Sequence, residues 1–199
     1  MVILTFAQAD AIRIRKSLSA LLLLTFTLLF PLVRQSVAGQ SSAISEFRVK
    51  ATFLFQFTQF VDWPTEAFST AQTPLVIGIF GEDPFGTFLE ETVRDERANG
   101  HALAVERYRR LEEVKNCHVL FVSGSEASRT GDIVTALKGR SILIVGDSNG
   151  FADRGGMIQF VTQENRIRLR INLAAARAAN LTISSKLLRP ATVINPGPR

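Results

Sequence analysis

Leu75-Val-Ile-Gly-Ile-Phe80 runs straight into Gly81-Glu-Asp-Pro84, and the expected architecture grows from that junction. An apolar run of this length, rich in β-branched side chains, reads as a strand buried on both faces. Val119-Leu-Phe-Val122 and Ile142-Leu-Ile-Val145 have the same character. Strands of this kind belong to a parallel sheet covered by helices. Helix signals lie between them. Asp83-Pro84 predicts an N-cap with proline at the first helical position, followed by Phe85, Phe88, Leu89 and Thr92 at helical spacing. Ser128 or Thr130 is expected to cap a helix carrying Ile133, Val134 and Leu137 and stopping near Gly139. Leu103 to Tyr108 reads as a weaker, edge-like strand.

The last third changes pattern. Met157–Val161 and Arg166–Ile171 flank Thr162-Gln-Glu-Asn165, which predicts an antiparallel hairpin. Ile167, Leu169 and Ile171 then point one way, and Arg166, Arg168 and Arg170 the other. Asn172 is expected to cap Leu173–Ala179, and Ser184 or Ser185 a short turn through Leu188. The fold class expected is α/β: a single domain with a mainly parallel central sheet covered by helices and a C-terminal antiparallel hairpin.

The chain has 199 residues, 46% hydrophobic and 21% charged, which suits a globular domain and argues against wholesale disorder. Its net charge of +5 is concentrated at the start. Arg13, Arg15 and Lys16 precede an uncharged apolar run from Ser17 to Val33, and Ser36-Val-Ala38 supplies small residues for cleavage. That order predicts a cleavable secretory signal peptide over residues 1–38. A membrane anchor is the rival reading, though the run is short for a span. Loss of residues 1–38 removes Arg13, Arg15, Lys16, Arg34 and Asp10 and leaves 19 basic against 17 acidic side chains. The remaining domain, 39–199, lacks the basic footprint of a nucleic-acid binder.

The mature chain opens on a helix rich in phenylalanine. Phe47, Ala51, Leu54 and Thr58 fall on one stripe, and Phe53, Phe57, Phe60 and Val61 on another. Two stripes allow one to face the core and the other a partner or second subunit; burial of both in one chain is the plainer alternative. Asp62-Trp63-Pro64 ends the helix, since the residue before proline leaves helical geometry.

The chemistry on offer is sparse. The single cysteine, Cys117, permits no internal disulfide and no cysteine-based metal site, and it precedes an apolar run, which predicts burial. His118 reads as a hydrogen-bonded packing residue and His101 as solvated in a polar loop. Gly146-Asp-Ser148-Asn-Gly150 fits the nucleophile-elbow pattern but runs into Phe151-Ala-Asp-Arg-Gly-Gly156, which reads as a loop, and no histidine follows it. A strand-ending turn is the better reading. If a small ligand binds, the strand ends near Gly81, Ser123, Gly146 and Asp147 are the expected pocket, by analogy with open α/β sheets. No catalytic set, metal site or cofactor is expected.

Several stretches together resemble one family. They are Phe47-Arg-Val-Lys-Ala-Thr-Phe-Leu-Phe-Gln-Phe-Thr-Gln-Phe-Val-Asp-Trp63-Pro64, Leu75–Gly86, Asn116–Val122, Val145–Phe160 and, most specifically, Ile171-Asn-Leu-Ala-Ala-Ala-Arg-Ala-Ala-Asn-Leu-Thr-Ile-Ser-Ser-Lys-Leu-Leu188. The chain resembles the YfiR/HmsC family over nearly all of its mature length. The resemblance implies a periplasmic, non-enzymatic regulator. It would bind the periplasmic sensor portion of an inner-membrane diguanylate cyclase and lower cyclic di-GMP and biofilm formation. It also implies a homodimer, and release by an outer-membrane sequestering protein or by stress. Family members carry disulfides tied to redox state; with Cys117 alone, no intramolecular switch is available here. A periplasmic small-ligand-binding sensor component is the alternative function. The expected partner or dimer surfaces are Phe53, Phe57, Phe60 and Trp63 on the opening helix, Arg166, Arg168 and Arg170 on the hairpin, and the C-terminal segment.

Overall fold

A computed structural model describes residues 45–195; the expected signal peptide lies outside them. Helix α1 occupies residues 45–60 of the described chain. Eight strands form the main sheet in the order β10-β8-β7-β6-β5-β2-β4-β3. Its centre is parallel: β2 (Leu75–Phe80) lies between β4 (His101–Tyr108) and β5 (Val119–Val122), followed by β6 (Leu143–Gly146) and β7 (Ile158–Gln163). Every residue of β2, β5 and β6 is buried, as the uninterrupted apolar runs predict. β8 (Arg166–Asn172) returns antiparallel to β7, pairing Phe160 with Leu169 and Gln163 with Arg166. Glu164 and Asn165 both take positive φ, 50° and 58°, as the tight two-residue hairpin turn requires.

Four short strands escape the hydrophobic pattern. β3 (Arg97–Ala98) pairs antiparallel with β4, and β10 (Thr192–Ile194) lies parallel to β8 at the opposite edge. β1 (Val61–Asp62) and β9 (Thr182–Ile183) form a separate antiparallel clasp, extended by the Ser184 amide donating to the Phe60 carbonyl at 2.8 Å. The segment Leu181–Leu188 therefore holds down the end of α1. Leu181, Ile183 and Leu187 bury their side chains there, and the Ser184 hydroxyl caps α5 (Ser185–Leu188) by accepting from the Lys186 amide. Asn172 caps α4 (Leu173–Ala178) as expected, accepting from the Ala175 amide at 3.0 Å.

Two expected caps are corrected. The Asp83 carboxylate accepts from the Phe85 amide, but this closes only a local turn, and Gly86 at φ 57° interrupts the chain. Helix α2 begins later, at Phe88, and ends at Val93. Neither Ser128 nor Thr130 starts a helix from a loop. Residues Gly124–Arg129 already form a 3-10 helix, opened by the Ser123 hydroxyl, which leads directly into α3 (Thr130–Ala136). The Thr130 hydroxyl instead donates back to the Ala127 carbonyl.

Helix α1 lies over the sheet on aromatic contacts. Phe57 stacks on Phe160 of β7 with centroids 5.8 Å apart, and Phe53 meets the same ring at 6.0 Å. Phe47 meets Phe85 edge-on at 5.7 Å, and Phe85 meets Phe121 of β5 at 4.9 Å. Burial of such rings dominates core energetics. Phe57 is fully buried and Phe53 and Phe60 are partly so. Of the two readings left open for the second phenylalanine stripe, burial within this chain holds for Phe57, and its place on a partner surface is corrected, because its ring stacks on Phe160.

Candidate functional site

Gly146 ends β6, and the loop after it is built around one ring. Phe151 is fully buried. A Cβ on Gly146 would lie 2.5 Å from the Phe151 ring, and one on Gly156 would lie 2.2 Å from it. Gly146 and Gly156 leave the room in which the Phe151 ring packs. The buried Gln159 side chain accepts from the Ala152 amide, and the buried Asn172 side chain donates to the Ala152 carbonyl, so both backbone groups of Ala152 are satisfied. Ser148 accepts from the Arg154 guanidinium at 3.1 Å. His118 precedes β5, whereas Ser148 follows the parallel β6, so they occupy opposite ends of the sheet. His101 opens β4, also at the far end. Neither imidazole serves Ser148, and the elbow pattern is a packing motif.

Gly81, Ser123 and Gly146 close three neighbouring parallel strands, so the structure does bring them to one sheet end, with Asp147 one residue beyond. What fills this end is α1. The Lys50 side chain is 3% exposed and places its ammonium 2.7 Å from Asp147 and 2.7 Å from Glu46. The ammonium also sits 4.6 Å from the Phe47 ring centroid. Glu46 in turn accepts from the Thr162 hydroxyl of β7 at 3.0 Å. Burial alone would raise the Glu46 carboxyl, but the hydrogen bonds from Lys50 and Thr162 and the Lys50 charge outweigh it, and its pKa lies below the usual 4.5. A cleft of about 570 Å³ remains between Phe47, Lys50 and Phe160 on one side and Gly124, Asp147 and Asn149 on the other. Its buried cation is already matched by two carboxylates. Lys50 and Glu46 were missed in the sequence, although Lys50 interrupts the apolar stripe Phe47, Ala51, Leu54 in register. That intrusion was the readable signal.

The hairpin arginines do not act alike. Arg170 donates to both oxygens of Asp153, at 2.9 and 3.0 Å, and to Gln159 at 3.2 Å. It braces the Phe151 loop from the side opposite Lys50, so its place in a free docking stripe is corrected. Arg166 and Arg168 are exposed. Trp63 is half-buried, with its indole N–H donating to the His118 carbonyl.

The far end of the sheet holds an aromatic stack. Phe68 lies between His101, centroids 3.9 Å apart, and His118, at 4.5 Å. His118 is buried, as expected; its Nδ1 accepts from the Val76 amide and its Nε2–H donates to the Ala67 carbonyl. His101 is not simply solvated. It is half-buried, and its Nδ1–H donates to the Thr73 carbonyl. A second cavity, about 570 Å³, opens beside Trp63, Phe68 and His101. Burial pushes the His118 pKa down, a direction the Ala67 bond opposes and the His101 charge reinforces. A base depressed in the fold stays neutral while its unfolded counterpart takes up a proton, so stability is full above pH 6.5 and falls as pH drops through the folded pKa. Urea unfolding should therefore show a falling midpoint below pH 6.5, and His118→Gln should flatten that segment of the profile. An unchanged slope would remove His118 as its source.

Burial raises the Cys117 thiol to about 12, and its S–H donates to the Val119 carbonyl. Among the described residues, no cluster of three or more metal-ligating side chains occurs and no helix is long and apolar enough to cross a membrane.

A family model described as DUF4154, YfiR/HmsC-like, matches residues 47–192, nearly the whole described domain; the chain belongs to that family. No curated protein matches it significantly. Two solved structures are similar: the ABC domain in complex with L-Trp from Streptococcus pneumoniae and a conserved domain protein from Vibrio cholerae O1 biovar El Tor. The first is 15% identical with a TM-score of 0.46, covering 60% of this chain and 55% of that one. The second is 14% identical with a TM-score of 0.43, covering 59% and 54%. The chain thus spans little more than half the length of each.

Proposed function

We propose that this protein is a periplasmic negative regulator. It binds the sensor portion of an inner-membrane diguanylate cyclase and lowers cyclic di-GMP signalling and biofilm formation. The observation that carries this reading is the family match across residues 47–192. It acts by differential affinity: binding the inactive arrangement of the receptor more tightly than the active one shifts the receptor's population toward the inactive form. A homodimer and an outer-membrane sequestering partner belong to the same proposal. The test is intracellular cyclic di-GMP in a deletion strain, its parent and a complemented strain. A rise on deletion that complementation reverses is expected. No change across several growth conditions would reject the reading.

A further inference from the structure

One face of the β7–β8 hairpin presents Arg166, Arg168 and Arg170 of β8. The opposite face, with Phe160, Leu169 and Ile171, is buried, Phe160 lying under Phe53 and Phe57 of α1. On the arginine face, Arg168 and Arg170 of β8 converge with Arg189, which follows α5, around a cleft of about 350 Å³ also lined by Gln163 and Thr192. These arginines come from segments that are distant in sequence until β10 pairs with β8, Thr192 beside Arg170.

Several surface arginines are held by carboxylates. Arg107 holds Asp83 and Glu90, Arg110 holds Glu113, and Arg129 holds Glu126. In the cleft only Arg170 has its carboxylate, Asp153. Arg168 and Arg189 are exposed and have no acidic partner among the described residues. β10 is also the edge of the sheet, so its outer backbone groups are unpaired within that sheet.

We infer that this cleft docks an extended, acidic segment of a partner protein, its carboxylates taken by Arg168 and Arg189 and its backbone lying along β10. Guanidinium groups bind carboxylates through paired, charge-assisted hydrogen bonds, and an exposed strand edge accepts a further strand. Arg170, held by Asp153, shapes the floor. The inference rests on the proposed regulator reading for its biological consequence but not for its binding chemistry.

The experiment separates the two. Fluorescence anisotropy with the purified protein uses labelled hexaglutamate and hexaglutamine peptides as probes. Three proteins are compared: wild type, Arg168→Glu/Arg189→Glu, and a control reversing the exposed Arg94 and Lys138 elsewhere. The expected result is binding of hexaglutamate only, weakened about tenfold or more in the cleft variant, as loss of charge-assisted pairs implies, with the control unchanged. Equal weakening in both variants would mean net charge alone and overturn the proposal, as would displacement of the peptide by millimolar inorganic phosphate, the mark of a small-anion site. Expressed in the deletion strain, the cleft variant should fold, with an unchanged thermal midpoint, yet leave cyclic di-GMP high. If wild type itself does not lower cyclic di-GMP, the regulator reading fails while the peptide assay still judges the cleft.

Discussion

Gly156→Ala is expected to destabilise the fold by about 3 kcal/mol, the upper end of the usual cost of overpacking a core. The new methyl would fall 2.2 Å from two carbons of the Phe151 ring and 2.9 Å from the Phe151 carbonyl oxygen. The ring has nowhere to go, because a Cβ on Gly146 would already touch its other edge at 2.5 Å. Nor does the backbone yield easily, since the Gly156 amide donates to that same carbonyl. Urea unfolding followed by the fluorescence of Trp63, the single tryptophan, measures it. Gly131→Ala is the control: its methyl meets nothing within 4 Å, and it stands in α3 without a positive φ. That variant should gain about 0.5 kcal/mol from lower unfolded-state entropy. The pair Phe151→Ala/Gly156→Ala should cost less than the sum of its parts, because one ring mediates both effects. Strict additivity would contradict the packing account.

Lys50→Met is the second large effect. It keeps the aliphatic stem but removes the ammonium from Asp147 and Glu46. Breaking a buried pair by removing one partner costs about 3 kcal/mol or more. The lower figure applies here, because Glu46 and Asp147 keep 32% and 16% of their side-chain surface in water. The loss concentrates in the first turns of α1, so protease cleavage there should rise more than global unfolding requires. In a double-mutant cycle, Asp147→Ala in the Lys50→Met background should cost less than in wild type, since no cation is then left unpaired. Equal costs in the two backgrounds would show that the pair is not coupled. Acid acts on the same clamp. With its carboxyl depressed in the fold, Glu46 contributes stability above pH 4.5 that is lost as pH falls through its lowered pKa. That decline should vanish in Lys50→Met.

The parts of the fold legible in sequence were those with a strong local signal. Buried parallel strands cannot alternate, so β2, β5 and β6 announce themselves as unbroken apolar runs. The β7–β8 hairpin is readable from its alternation and its Glu164-Asn165 turn. Asn172 and Ser184 are readable because an N-cap uses only neighbouring amides. Asp83 misled because its side chain closes a turn with the same chemistry it would use to cap a helix. β3, β9 and β10 were unreadable, since two or three residues carry no period.

The candidate site divides in the same way. Composition and periodicity by themselves determined an α/β domain with an apolar opening helix, a single cysteine and two histidines. They also placed Gly81, Ser123, Gly146 and Asp147 at strand ends, because that depends only on where strands stop. Tertiary structure alone decided what those ends do. It laid α1 across them, made Lys50 the counter-ion of Asp147, turned Gly146 and Gly156 into space for Phe151 and paired Arg170 with Asp153. It also brought Arg189 beside Arg168. Asp147 lies 97 residues from Lys50 along the chain, and Asp153 lies 17 from Arg170. No local pattern encodes those distances; only the register of the packed sheet does.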